Sequence, residues 1–163
     1  MKIEDAIQFF GYSSENKELD AYLTTLEISE RPIFNENSEE WVLKREDGFI
    51  LMFRAKHGYE SLYGPVSSIG SMIFKQIRLY GPRNTDDFRP YQGKLPYGLH
   101  FERTLDEVKK ILGNPDFEEE PNTPERVLVW NNFGGTEIGM VLTDDETHMS
   151  YLDIEPVKSK YIR

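Results

Sequence analysis

Leu19-Asp-Ala-Tyr-Leu-Thr-Thr-Leu26 and Leu105-Asp-Glu-Val-Lys-Lys-Ile-Leu112 are the two stretches that decide how this chain is read. In the first, Leu19, Tyr22, Leu23 and Leu26 fall on one helical stripe; in the second, Leu105, Val108, Ile111 and Leu112 do the same. The offset that lays residue 19 on residue 105 also lays Gly48 on Gly134. Helix, turn and hairpin then coincide, which predicts two tandem helix-then-strands units. The plainer alternative is an α+β domain without a repeat.

Ahead of the first stretch, Ile3, Ala6, Ile7 and Phe10 predict a short helix that stops at Gly11, and Ser13, Ser14 and Asn16 are candidate caps for the next one. Pro32 ends any continuation. The period then changes to that of strands: Trp41–Arg45 and Phe49–Arg54 flank Glu46-Asp47-Gly48 and read as a hairpin. A loop over residues 55–71, rich in Gly and Ser, leads to a strand over Ile73–Tyr80. Residues 1–80 thus form the first helix and antiparallel-sheet unit, and the turn-rich residues 81–98 a linker. The second unit, residues 99–163, opens on Thr104-Leu-Asp-Glu107, a capping box. Gly113-Asn-Pro115 stops its helix, and strands are expected at 126–130, 136–142 and 148–154. The predicted fold is α+β, with helices packed on one face of the sheet and the two units sharing one compact domain.

Composition narrows the function. Hydrophobic residues make up 38% of the 163 and charged residues 29%, interspersed along the length, as in a globular protein. Acidic residues at Met1-Lys-Ile-Glu-Asp5, and the lack of any run of about 18 apolar residues, predict a cytoplasmic protein that does not enter the membrane. There is no cysteine, hence no disulfide, thiol nucleophile or thiolate metal site. A formal charge of −10 argues against direct nucleic-acid binding, which needs a basic face, and favours a basic partner. Solubility alone is the plainer explanation of the charge.

Strand parity separates a core face from an open one. In the third strand it puts Ile73, Ile77 and Leu79 with Lys75, and Phe74, Gln76, Arg78 and Tyr80 opposite. In the last strand Leu152 and Ile154 face one way, and Met149, Tyr151 and Asp153 the other. The open set, Phe74, Gln76, Arg78, Tyr80, Met149, Tyr151 and Asp153, has the composition of a protein interface. Its alternative use is a second packed layer under residues 55–71. Acidic clusters at Asp86 and Asp87, at Asp116, Glu118, Glu119 and Glu120, and at Asp144, Asp145 and Glu146 are suited to steering a basic partner. Each also reads as a solvated loop.

Motifs for chemistry are missing. His57, His100 and His148 stand apart, without helical metal-ligand spacing, and neither a nucleophile elbow nor a phosphate-cradling glycine loop occurs. Asp144-Asp-Glu-Thr147 lacks the alternating ligands and central glycine of a calcium loop. The sequence therefore assigns no catalytic residue, metal ligand or cofactor.

Leu95-Pro-Tyr-Gly-Leu-His-Phe101, followed by Thr104–Pro115 and preceded by Leu79-Tyr-Gly81, resembles a motif of bacterial immunity proteins that neutralise polymorphic toxins. The chain is also similar to the helix-plus-sheet repeat of the beta-lactamase inhibitory proteins, which usually carry disulfides that this chain lacks. The resemblance spans residues 79–115. It implies a cytoplasmic immunity protein of a contact-dependent growth inhibition or related system, which binds the C-terminal domain of a cognate toxin and occludes its active site. A basic nuclease is the toxin that fits the acidic charge. The alternatives are a scaffold or adaptor using the same face and, third, an uncharacterised hydrolase.

Overall fold

Alternating apolar residues in strands, and apolar stripes on helices, gather one main core against a seven-stranded antiparallel sheet in the computed structural model, which describes residues 1–37 and 39–162. Helices α1 (Ile3–Ile7) and α2 (Lys17–Thr25) precede strands β1 (Glu39–Lys44) and β2 (Phe49–Ala55). Helix α3 (Lys56–Tyr63) and strand β3 (Met72–Tyr80) follow, then α4 (Leu105–Leu112), β4 (Phe117–Glu118), β5 (Val127–Phe133), β6 (Thr136–Leu142) and β7 (Met149–Pro156). The strand order is β1-β2-β3-β7-β6-β5-β4, so β3 and β7 meet at the centre, where Arg78 lies opposite Asp153 and Tyr80 opposite Tyr151. The fold is α+β.

Local chemistry sets the helix ends. Asn16 Oδ1 accepts from the backbone N–H groups of Glu18 and Leu19, both at 3.0 Å, and starts α2. At α4 the capping box is complete: Thr104 Oγ1 accepts from Glu107 N at 3.3 Å, and Glu107 Oε1 accepts from Thr104 N at 3.2 Å. Ile3 and Ala6 of α1, Leu19 and Leu23 of α2, and Val108 and Leu112 of α4 all enter the main core, with Leu51, Phe53, Ile77, Leu128, Ile138 and Leu152 from the sheet.

Helix α3 departs from the expected loop over 55–71 and from the expectation that every helix covers one face. Its Tyr59 and Tyr63 pack on Ile73, whose chain neighbours Met72 and Phe74 point into the main core. Ile73 therefore faces the other way, and α3 covers one end of the opposite face. The segment 81–98 is also woven into the fold: Tyr91 and Leu95 join the main core, whereas Phe88 packs on Ile50, Met52 and Tyr80 across the sheet. Gly48 makes that crossing possible, since it has φ +76° and a Cβ there would lie 2.4 Å from the carbonyl oxygen of Arg89.

Two β-bulges set which side chains reach the open face. Phe53 pairs with Phe74 but Met52 with Gln76, leaving Lys75 as the extra residue; Leu142 pairs with Met149 but Val141 with Tyr151, leaving Ser150 extra. Each bulge reverses the parity of what precedes it. Phe74 and Met149, expected on the open face, instead lie in the main core with 1% exposure each, and Ile73 moves to the opposite face.

Candidate interaction surface

Between α3 at one end and Phe88 at the other, the centre of the open face is uncovered. Arg78 occupies its middle: Nε and Nη2 donate to Asp153 Oδ1 and Oδ2 at 2.8 and 2.9 Å, and the guanidinium lies over the Tyr151 ring at 4.0 Å. Against burial, which would lower it, the Asp153 carboxylate holds the Arg78 guanidinium up; burial pushes Asp153 up, with Arg78 and Gln76 opposing. These shifts differ in meaning, for one marks a held ion pair and the other the cost of burying the acid. The two short, parallel hydrogen bonds favour the ionised pair. Burial pushes the Tyr151 hydroxyl up to about 12.

Of the residues expected on this face, Gln76, Arg78, Tyr80, Tyr151 and Asp153 are there. Tyr80 is nonetheless buried, at 2% exposure, stacked on Phe88 at 4.0 Å and tilted on Tyr151 at 5.6 Å. It supports the surface rather than forming it. Sequence parity did not extend to the edge strands, where the structure adds Trp41 and Leu43 from β1 and Phe117 from β4, exposed at 50%, 41% and 52%. Their pairings, Trp41 with Met52, Leu43 with Ile50 and Phe117 with Val129, put them on the open side.

A hollow of about 250 Å³ opens beside Arg78. Val127, Val129, Val141 and Tyr151 contribute to its wall, and Gly139, opposite Asp153, leaves its floor without a side chain. Glu137 and Glu155, directly paired across β6 and β7, line it too. Lys158 Nζ donates to Glu137 Oε1 at 2.7 Å and Glu155 Oε1 at 2.8 Å, and the Tyr63 hydroxyl donates to Glu155 Oε2 at 2.8 Å. The Glu137 side chain is 8% exposed, and its Oε2 has no hydrogen-bond partner among the described residues. Burial and the facing Glu155 carboxyl push Glu137 up to about 7, against Lys158; burial would raise Glu155 as well, but Glu137 and Lys158 hold it low. The shared proton accordingly sits on Glu137. An acid two residues before a glycine on the polar side of a strand was the sequence signal for this cluster.

The acidic clusters divide. Asp86 and Asp144, far apart in sequence, border one small hollow together with Tyr151 and with Glu125, which the sequence reading missed; Asp87 is exposed in the same turn as Asp86. Asp86, Glu125 and Asp144, with Arg83 among them, lie beside Tyr151 at one end of the open face. Glu118 and Glu146 instead bind Arg126, at 2.6 and 3.3 Å, and Glu118 also takes Lys109 at 2.7 Å. Glu119 accepts from Val127 N at 3.0 Å and, through its carbonyl, from Arg126 Nε at 2.8 Å. Because Glu118 pairs with the core residue Leu128, this group belongs to the helix-covered side and has a structural use. Asp145 closes its own turn: hydroxyls of Thr143 and Thr147 donate to it and hold it down to about 2. Asp116 accepts from Asn131 N at 2.7 Å in a separate hollow beside Lys160, and Glu120 is exposed.

Among the described residues no group of three or more His, Asp or Glu side chains is arranged to hold a metal ion, and no helix is long and apolar enough to cross a membrane. No family model, curated protein or solved structure matches the chain.

Proposed function

We propose that this chain is an immunity protein that binds the C-terminal domain of a bacterial toxin, a basic nuclease, and blocks it by stoichiometric occlusion in the cytoplasm. The observation that carries the reading is the open sheet face, on which Trp41, Leu43 and Phe117 stand exposed around the Arg78–Tyr151–Asp153 centre. Exposed aromatics around a preorganised arginine are what a protein partner uses as anchors. Six interstrand spacings of about 4.8 Å, and strands of about seven residues rising about 3.4 Å each, give the whole sheet roughly 700 Å² in plan, and α3 and Phe88 cover its two ends on this side. The uncovered centre is smaller than the about 800 Å² a standard interface takes from each partner, so the partner also reaches the rim loops. The rim acids Asp86, Glu125 and Asp144 and the net charge of −10 complement a basic partner and speed its approach. The proposal includes the tandem architecture: a helix and a three-strand meander, α2-β1-β2-β3, followed by α4-β5-β6-β7, the two meeting edge to edge through β3 and β7.

The test is inhibition of the purified toxin domain by the purified chain. Titration should end at an equimolar ratio and weaken steeply with salt, and Trp41→Ala with Tyr151→Ala should abolish it while the fold persists. Full inhibition by that double variant would remove the open face from the mechanism.

A further inference from the structure

Strand β1 carries none of the devices that keep a sheet edge apart from other strands. It ends the sheet, runs along β2 for six residues without a bulge, and holds no proline. The opposite edge, β4, is only two residues long. Among the described residues no backbone hydrogen bond reaches β1 from beyond its own hairpin, so one row of its N–H and C=O groups is open. Exposed apolar residues gather here as well: Trp41 and Leu43 on the strand, and Ile33 and Phe34, 79% and 57% exposed, in the segment that Asn35 ties to Glu40 at 3.4 Å. An edge of this kind is a template for a further strand.

The charges along this edge select the occupant. Glu39-Glu-Trp-Val-Leu-Lys-Arg45 is symmetric about Val42, with acids at one end and bases at the other. We propose that β1 pairs antiparallel with β1 of a second copy of this chain, about a two-fold axis at Val42, and joins the two sheets edge to edge. An axis that makes the two strands antiparallel stands perpendicular to the sheet, so both open faces lie on one side and paired residues share parity. Centring on Trp41 would set Glu39 against Leu43, and centring on Leu43 would set Val42 against Lys44 and Glu40 against Glu46. Centring on Val42 sets Trp41 against Leu43 of the second copy on the open side and Glu40 against its Lys44 on the helix-covered side, each pair occurring twice. Glu39 then faces Arg45, but both are engaged in their own chain, Glu39 by Lys75 at 2.6 Å and Arg45 over the Phe88 ring at 4.7 Å. Glu40 and Lys44 have only longer contacts, to Asn35 and Asp47, both at 3.4 Å. Apolar and opposite-charge pairs across strands are what stabilise such a ladder. The pairing does not depend on the immunity reading, and it leaves Trp41 on the open side.

Analytical ultracentrifugation of the purified chain at about 0.15 M salt, where repulsion between two chains of charge −10 is screened, tests this. A six-residue edge buries little surface, so the mass should rise from 19.1 kDa towards twice that value between about 1 µM and about 1 mM. Glu40→Lys and Lys44→Glu each set like charges opposite one another, and each should weaken the dimer about tenfold or more while still melting cooperatively. Mixed in equal amounts, the two variants should form a heterodimer, because both Glu40–Lys44 positions then join opposite charges again. A wild type that stays at 19.1 kDa throughout, a dimer that forms equally well in both single variants, or a mixture that stays monomeric would overturn the pairing. So would a monomer whose β1 amides are protected from exchange only when the toxin domain is added, which would give this edge to a strand of the toxin.

Discussion

Replacing Glu137 by glutamine is expected to stabilise the protein at pH 8 and to do so far less at pH 5. In the folded chain burial and Glu155 raise Glu137 from 4.5 to about 7, whereas an unfolded chain releases that proton near the ordinary value. Between these two values the folded state binds the extra proton, so stability falls as pH rises through the window. A rise of that size corresponds to about 3 kcal/mol at about 1.4 kcal/mol per pH unit. Glu155, held low by the same contact, works in the opposite sense, and the Lys158 ion pair at 2.7 Å is weakened when its acceptor becomes neutral. The net gain for glutamine is about 1–2 kcal/mol at pH 8, or about 3–6 °C in Tm for a chain of this size. Urea and thermal melts of both proteins at pH 5, 6, 7 and 8 measure it. A difference that does not change with pH, or a wild type that gains on the variant as pH rises, would refute the shared-proton arrangement.

Further outcomes follow from the same contacts. Arg126→Met leaves Glu118 and Glu146 without their buried cation, 10% exposed, and should cost about 3 kcal/mol in a urea melt. Phe74→Ala removes a core ring, 1% exposed, and should cost about 3–5 kcal/mol; a loss below about 1 kcal/mol would return Phe74 to the open face. Tyr80→Ala, through its Phe88 stack, should lower stability by about 3 kcal/mol, whereas Trp41→Ala, half exposed, should change it by less than about 0.5 kcal/mol. Thr104→Ala breaks the capping box of α4 and should cost about 1 kcal/mol.

How far the sequence could be read depended on how local the deciding interaction was. The caps at Asn16 and Thr104 and the turn at Gly48 depend on residues a few positions away, and these were legible. A bulge depends on how a strand pairs with its neighbour, so Lys75 and Ser150 carried no warning that Phe74 and Met149 would turn inward. Helix α3, Lys56-His-Gly-Tyr-Glu-Ser-Leu-Tyr63, has a glycine and two tyrosines and little intrinsic helicity; its burial against Ile73 stabilises it. Among the acids, sequence gave position but not partner. Glu118 and Glu146 look as solvated as Asp86 and Asp144 until the fold brings Arg126 between them.

The central claim is that the open face captures a toxin domain, and an affinity comparison tests it most directly. The wild-type chain and the Trp41→Ala/Tyr151→Ala double variant would be titrated calorimetrically against the purified toxin domain at low and high salt. We predict an equimolar complex for the wild type, salt-sensitive and weakened at least a hundredfold in the double variant, which still folds cooperatively but melts somewhat lower because Tyr151 packs on Arg78 and Tyr80. Equal affinity for the two proteins would contradict the account.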